Sequence, residues 1–387
     1  MIVEEVKNHL IEDIIPFWMK LRDDEFGGYI GFMNFDGTVD RQAVKGCILH
    51  SRILWFFSNA YLLLKDEKLL SEAKHAYDFI MQNCLDEEYG GVFWSVNYDG
   101  RPAEDMKHTY NQAFCIYALS SYYDASGDKE ALKKAFEIQA IIQEKCTDDV
   151  GYLEAFKRDF SPESNEKLSE NGVMAEKTMN TLLHVLEAYT ELYRVSKDEK
   201  TGELLKFILD TISQKIYNKE LKRQEVFFDK NYNSLIDLHS YGHDIETSWL
   251  VDRSCEILGH EEVSERMREI DSALARRIYE RAYANHSLLN ECEKGIDNTT
   301  RIWWVQAEAV VGFVNAYEKE PECKEYLDAA IDIWNYIKKN VIDKRTGEWY
   351  SEVDQNGVPD AKKPLVEPWK CPYHNGRMCM EIIKRNV

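Results

Sequence analysis

Proline is scarce in this 387-residue chain, at eight residues, and no stretch rich in glycine, serine or proline interrupts it. That excludes a flexible linker and a disordered tail, and a single folded unit over residues 1–387 is expected. Positive charge is in deficit: 48 lysines and arginines face 69 acidic residues, for a formal charge of -21. Nucleic acid and anionic membranes would be repelled by such a field, so a neutral ligand is expected. No apolar run approaches the roughly 18 residues of a membrane span. The first nine residues lack a basic segment followed by an apolar one, so a soluble, cytoplasmic protein is expected. The nine cysteines include no C-x-x-C pair and are odd in number, which argues for reduced core thiols and not for a disulfide framework or a thiolate zinc site. A P-loop, a dinucleotide fingerprint and an H-E-x-x-H motif are all missing. Neither a cofactor nor a metal is expected.

What is present is repetition. A glycine- or aromatic-rich passage recurs as Gly27-Gly28-Tyr, Gly90-Gly91-Val-Phe-Trp, Gly151-Tyr-Leu, Glu225-Val-Phe-Phe, Ser287-Leu-Leu and Gly347-Glu-Trp-Tyr. The period is roughly 60–75 residues, the scale of repeat architectures. Between successive passages lie two helical patterns: 46–64 and 68–84, 109–123 and 129–145, 177–195 and 199–216, 243–258 and 261–283, 302–317 and 324–341. In most pairs the first is the more apolar, as an inner helix should be, and the second carries a polar face. The last pattern, 374–385, has no mate, whereas an amphipathic helix over 2–21 opens the chain. Joining these two half-pairs closes a ring, which predicts an all-α fold, an (α/α)6 barrel of six helix pairs with short β-hairpins on one face. An open solenoid would need polar caps at its ends.

With the first helix of each pair inside, their N-terminal ends converge on one rim. Arg52 comes from the first; Tyr110 and Asn111 from the second; Asn180 and His184 from the third. The fourth supplies His243 and Glu246, with Gly242 read as a turn just before the helix. Trp303, Trp304 and Glu308 come from the fifth, and Trp369, Tyr373 and His374 precede or open the sixth. Polar groups on otherwise apolar helices are costly to bury without partners, so their concentration favours a shared pocket. Arg52, amid Leu49-His-Ser-Arg-Ile-Leu-Trp, requires either a buried carboxylate or a ligand. His243 and Glu246 serve equally as a capping pair or as proton-transfer groups, and the tryptophans as core or as platforms for sugar rings. His184, His243 and Glu246 are metal-capable residue types, but the i,i+3 pair His243 and Glu246 would need further ligands from other helices. The polar stretch 159–172 reads as a surface loop or a lid.

The chain resembles the N-acylglucosamine 2-epimerase superfamily, and within it the cellobiose 2-epimerase branch. The resemblance rests on Lys107-His-Thr-Tyr-Asn-Gln-Ala-Phe, Lys177-Thr-Met-Asn-Thr-Leu-Leu-His, Gly242-His-Asp-Ile-Glu, Arg301-Ile-Trp-Trp-Val-Gln-Ala-Glu and Trp369-Lys-Cys-Pro-Tyr-His-Asn. It implies a cofactor-independent isomerase that opens a reducing sugar and inverts C2 through a cis-enediolate. His243 and His374 would exchange the proton, Arg52 would stabilise the enediolate, Glu246 would orient a histidine or hold a hydroxyl, and His184 would assist ring opening. Tyr110, Asn111, Asn180, Trp303, Trp304, Glu308 and Trp369 would bind a disaccharide such as cellobiose, lactose or mannobiose, in a monomer or weak dimer. Monosaccharide epimerases and mannose isomerases share this core. A glycoside hydrolase using Glu246 and Glu308, or a non-enzymatic protein-binding role, is the reading from a different class.

Overall fold

The computed structural model describes residues 2–169 and 171–386. The chain opens with α1 (Ile2–His9), one π-helical turn (Leu10–Ile14) and α2 (Ile15–Met19). Five helix pairs follow: α3 (Cys47–Leu64) with α4 (Glu67–Phe79), α5 (Thr109–Ser126) with α6 (Lys129–Lys145), α7 (Met179–Ser196) with α8 (Glu199–Thr211), α9 (Tyr241–Leu258) with α10 (Glu261–Arg281), and α11 (Trp303–Lys319) with α12 (Lys324–Tyr336). The chain ends in α13 (His374–Arg385). Neighbours α3, α5, α7, α9, α11 and α13 pack in sequence, and α13 returns to α3, so the inner ring is closed. α1 packs on α13 as its missing outer partner. This is the expected (α/α)6 barrel, and the closure rules out an open solenoid.

Each turn between paired helices is written into short sequences. Lys65, Gly127, Lys197 and Gly259 end their inner helices in the left-handed conformation. In the first three pairs an aspartate follows, and Asp66, Asp128 and Asp198 accept backbone N–H bonds at the start of the outer helix. Three outer helices, α4, α8 and α12, end in a single π-helical turn at Ile80–Cys84, Ile212–Ile216 and Ile337–Val341, where the periodicity of the sequence runs on as one helix.

The hairpins share one face and stitch adjacent repeats together. The short strand before an inner helix pairs antiparallel with the hairpin that follows the next outer helix: Lys45–Gly46 with Ser95–Val96, Lys107–His108 with Ala155–Phe156, Lys177–Thr178 with Phe227–Phe228, Leu238–Ser240 with Glu291–Glu293, and Arg301–Ile302 with Glu352–Val353. A bridge between Met33 and Val366 completes the circle. Buried lysines at the ends of these connections reach back to an acid of the preceding passage: Lys45 to Asp23 (2.7 Å), Lys107 to Asp86 (3.0 Å), Lys177 to Asp148 (2.5 Å) and Lys370 to Glu348 (2.9 Å). The fourth residue of an inner helix repeats a second device. His50, Gln112, Asp244 and Gln306 each accept a hairpin N–H, from Tyr29, Val92, Gln224 and Leu288 respectively.

Two expectations change. Cys47–Leu64 is long and apolar enough to cross a membrane, with a mean hydropathy of 1.3, although no such run was anticipated. The ring buries it as its first inner helix, which explains why an apolar helix carries Arg52 near one end. Gly242 lies inside the first turn of α9 and not before it. A Cβ there would come within 2.5 Å of the Trp304 ring, so glycine is required by the close approach of α9 and α11.

Candidate active site

Arg52 is buried and has no carboxylate partner among the described residues. Its Nη2 donates to the Tyr110 hydroxyl at 2.8 Å and its Nη1 to the Trp369 carbonyl at 3.3 Å. The guanidinium lies over the rings of Phe114 (4.2 Å) and Tyr373 (4.9 Å), and its Nε is unpartnered. Of the two alternatives the sequence left open, the buried carboxylate is not found among the described residues. Aromatic faces offset part of the charge, and a ligand is left to meet the rest.

α9 and α13 bring His243 and His374 to the same indole, Trp304, whose ring centre lies 4.8 Å from the first imidazole and 5.5 Å from the second. His243 Nδ1 is bonded to Ser240 Oγ at 2.7 Å. His374 Nδ1 donates to Glu308 Oε1 at 2.7 Å, which leaves Nε2 as the nitrogen free to take a proton. Glu308 is fixed in turn by the indole N–H of Trp249 at 3.0 Å. Burial lowers the pKa of both imidazoles. His243 falls to about 3, and His374, which also feels the charges of Arg377 and Arg52, lies well below its ordinary value. Both are neutral bases at physiological pH.

Beneath them sits a residue that the sequence reading did not single out. Arg377, one turn beyond His374, is fully buried, and its guanidinium binds three carboxylates: Glu187 through Nη1, and Glu246 and Glu308 through Nη2. Glu187, also unanticipated, accepts from His184 Nδ1 at 3.0 Å and from the Tyr373 hydroxyl. Burial opposes ionisation of Glu187, but Arg377 and His184 hold it down to about 2. Glu246 goes the other way. Burial and then the neighbouring Glu308 push it up, so the two acids share their negative charge at one guanidinium nitrogen, and Glu246 Oε2 has no partner among the described residues. The carboxylate that orients His374 is Glu308, and Glu246 Oε1 stands 3.9 Å from the same nitrogen. Glu308, expected as a substrate contact, thus has both oxygens engaged by protein.

The remaining predicted residues divide. Asn111 donates to the Phe93 carbonyl at 2.7 Å, so its N–H is structural, but its Oδ1 and that of Asn180 are buried without partners. Trp369 is partly exposed beside Tyr110 (5.7 Å) and Trp94 (5.5 Å), forming an aromatic wall next to Arg52. Trp303 is buried, with the Lys370 ammonium 4.3 Å over its ring, and backs His374 from behind. His184 packs edge-on to Tyr110 at 5.0 Å, joining the Arg52 side of the site to the carboxylate cluster. Glu246, Glu308 and His374 are near enough together to hold a metal ion. However, the Arg377 nitrogen already bonds both carboxylates and supplies the positive charge a metal would bring.

Among the described residues, buried atoms without a partner on Arg52, Asn111, Asn180 and Glu246, from four inner helices, leave polar groups for a ligand rich in hydroxyls to satisfy. The N-acylglucosamine 2-epimerase (GlcNAc 2-epimerase) family profile matches residues 28–375. The chain belongs to this family. It is 51% identical to the cellobiose 2-epimerase of Ruminococcus albus over the full length of both chains. It is also 51% identical to that of Eubacterium cellulosolvens, covering 99% of this chain and 98% of the relative. The crystal structure of a sugar epimerase from a ruminal bacterium superposes with a TM-score of 0.98 at 51% identity, covering all of both chains. The cellobiose 2-epimerase of Bacillus thermoamylovorans follows at 0.96 and 44% identity, covering 99% of each. A D-mannose isomerase at 19% identity shares the fold, with a TM-score of 0.83.

Proposed function

We infer that this chain is a 2-epimerase acting on the reducing-end sugar of β-1,4-linked disaccharides of the cellobiose type. The observation that carries the chemistry is the pair of neutral imidazoles beside Trp304, together with a buried guanidinium, that of Arg52, with no carboxylate partner among the described residues. In the open-chain aldehyde the C2–H is acidic because the resulting anion spreads onto the carbonyl oxygen. One imidazole, His243 or His374, takes that proton and becomes imidazolium. The cis-enediolate carries the negative charge that Arg52 lacks a partner for, the kind of preorganised electrostatics that dominates many barriers. The other imidazole takes up a solvent proton once the enediolate's negative charge is present beside it and delivers that proton to the opposite face of C2. The first imidazolium releases its proton to solvent, so both return to the neutral form as the ring closes. Glu308 on Nδ1 stabilises the imidazolium of His374. Glu246, whose Oε2 is free of protein partners among the described residues, bonds a substrate hydroxyl, and His184 assists ring opening with Glu187 behind it. Trp369 and Trp94 extend the aromatic wall toward the second sugar.

A glycoside hydrolase built on Glu246 and Glu308 fits poorly. Both carboxylates bind one guanidinium nitrogen, so no glycosidic bond can lie between them, and both histidines would be idle. Cellobiose, lactose and mannobiose all present the required reducing end and are the proposed substrates. Cytoplasmic placement, supported by nine free thiols, and a monomer or weak dimer complete the reading. Incubation with cellobiose in D2O, followed by NMR, is expected to give glucosyl-mannose deuterated at C2, with chelators having no effect. Conversion of free monosaccharides alone would overturn the disaccharide assignment, and release of glucose would revive the hydrolase.

A further inference from the structure

The guanidinium of Arg377 is the only group among the described residues that touches three carboxylates of the site. It donates to Glu187 from one terminal nitrogen and to Glu246 and Glu308 from the other. Each of two imidazoles is bonded through Nδ1 to one of those carboxylates: His184 to Glu187 at 3.0 Å, and His374 to Glu308 at 2.7 Å. The three carboxyl partners come from α7, α9 and α11 and Arg377 itself from α13, so this one side chain ties four of the six inner helices together. Nothing reaches it from the ligand side, because it is buried beneath the groups it binds.

Resting on the epimerase reading above, we propose that Arg377 is a positioning residue that locks His184 and His374 into one unit, so that ring opening and proton transfer at C2 share a single geometry. The planar fork is essential to this. Two terminal nitrogens in a fixed plane hold Glu187 on one side and the Glu246–Glu308 pair on the other, whereas an ammonium is a point charge and sets no such plane. The role does not consist of charge alone, since Glu246 and Glu308 remain crowded on one nitrogen even when the cation is present.

The test uses Arg377→Lys and Arg377→Gln in the full chain, with two rates followed in each. Interconversion of the anomers of cellobiose above the spontaneous rate reports ring opening, and deuterium entry at C2 in D2O reports proton transfer. In Arg377→Lys both rates are expected to fall together by about a hundredfold, the cost of a misplacement near 1 Å, with KM changing far less than kcat. In Arg377→Gln the acidic limb of kcat is expected in addition to move upward, because the positive charge that disfavours the imidazolium of His374 is gone. A loss of C2 exchange with ring opening intact would overturn the coupling, and so would a lysine variant that keeps wild-type kcat. A purely structural role would lower the melting temperature while leaving kcat per folded molecule and the pH limb in place, and that result too would overturn the proposal. Should the unaltered protein show neither rate with cellobiose or any other reducing sugar, the epimerase reading itself falls, a result distinct from all of these.

Discussion

A buried charge without a counter-charge is a cost to folding that only function explains, and Arg52 is such a charge. Among the described residues its partners are a phenol hydroxyl, a carbonyl, the Cys371 thiol and four aromatic faces. Replacing it by an apolar side chain of similar length should therefore abolish turnover while strengthening the fold. Arg52→Met is expected to lose activity by at least about a hundredfold, the scale of removing one preorganised donor. Its urea-unfolding free energy is expected to rise by about 1 kcal/mol or more, as when desolvated charges give way to well-packed apolar groups. A loss of stability would mean that the guanidinium is already satisfied in the empty site. The anomaly of Arg52 was legible in the sequence because its neighbours are so apolar. Arg377 was not, since it follows His374 by three residues in a helix that also carries lysine and glutamate, and nothing local marks it as buried.

At the scale of elements, the repeated lysine-to-acid clasps hold each hairpin against the next inner helix. Lys107 and Asp86 are both fully enclosed, and Arg158 closes the acid from outside. Although burial opposes it, bonding to Arg158 and Lys107 holds the Asp86 carboxyl well below the usual carboxylate range. Lys107→Met should cost about 3 kcal/mol or more in denaturant unfolding, because it leaves a buried carboxylate short of a partner. Adding Asp86→Asn should recover part of that loss, and a double-mutant cycle measures the coupling. The number and order of the helix pairs could be read from hydrophobic periodicity, and the Asp caps from the turn chemistry at residues 66, 128 and 198. Gly242 was misread, since a glycine before an apolar run resembles a turn, and only the packing of Trp304 against α9 shows why a side chain is excluded inside the helix.

Across the whole molecule, buried neutral histidines link stability to pH. His50 and His108 are fully buried, and burial is the leading cause that lowers them to about 3 and about 4. Unfolded, each has an ordinary pKa near 6.5, so between about pH 4 and 6.5 the unfolded chain binds more protons than the folded one. Stability should therefore fall as pH drops below 6.5, by about 1.4 kcal/mol per pH unit for each such imidazole. Urea midpoints measured from pH 7 to pH 5 check this, and His50→Gln should flatten the slope. A stability independent of pH over that range would show the imidazoles to be protonated in the fold. Catalysis should persist to lower pH than an unperturbed histidine allows, because His243 and His374 stay neutral by the same burial.

By itself the sequence determined the repeat, the six inner helices, the single hairpin face and most of the residue types on the rim. All of these follow from interactions between positions close along the chain, whose periodicity is visible in one dimension. The closure of α13 on α3 with α1 as its outer partner also followed from the unmatched half-pairs at the two ends, and the tertiary structure bears it out. Only the tertiary structure decided that Glu308 and not Glu246 orients His374, and that one arginine gathers acids from residues 187, 246 and 308. The physical reason is that charge pairing depends on distance in space, and ring closure brings together groups that no local pattern relates.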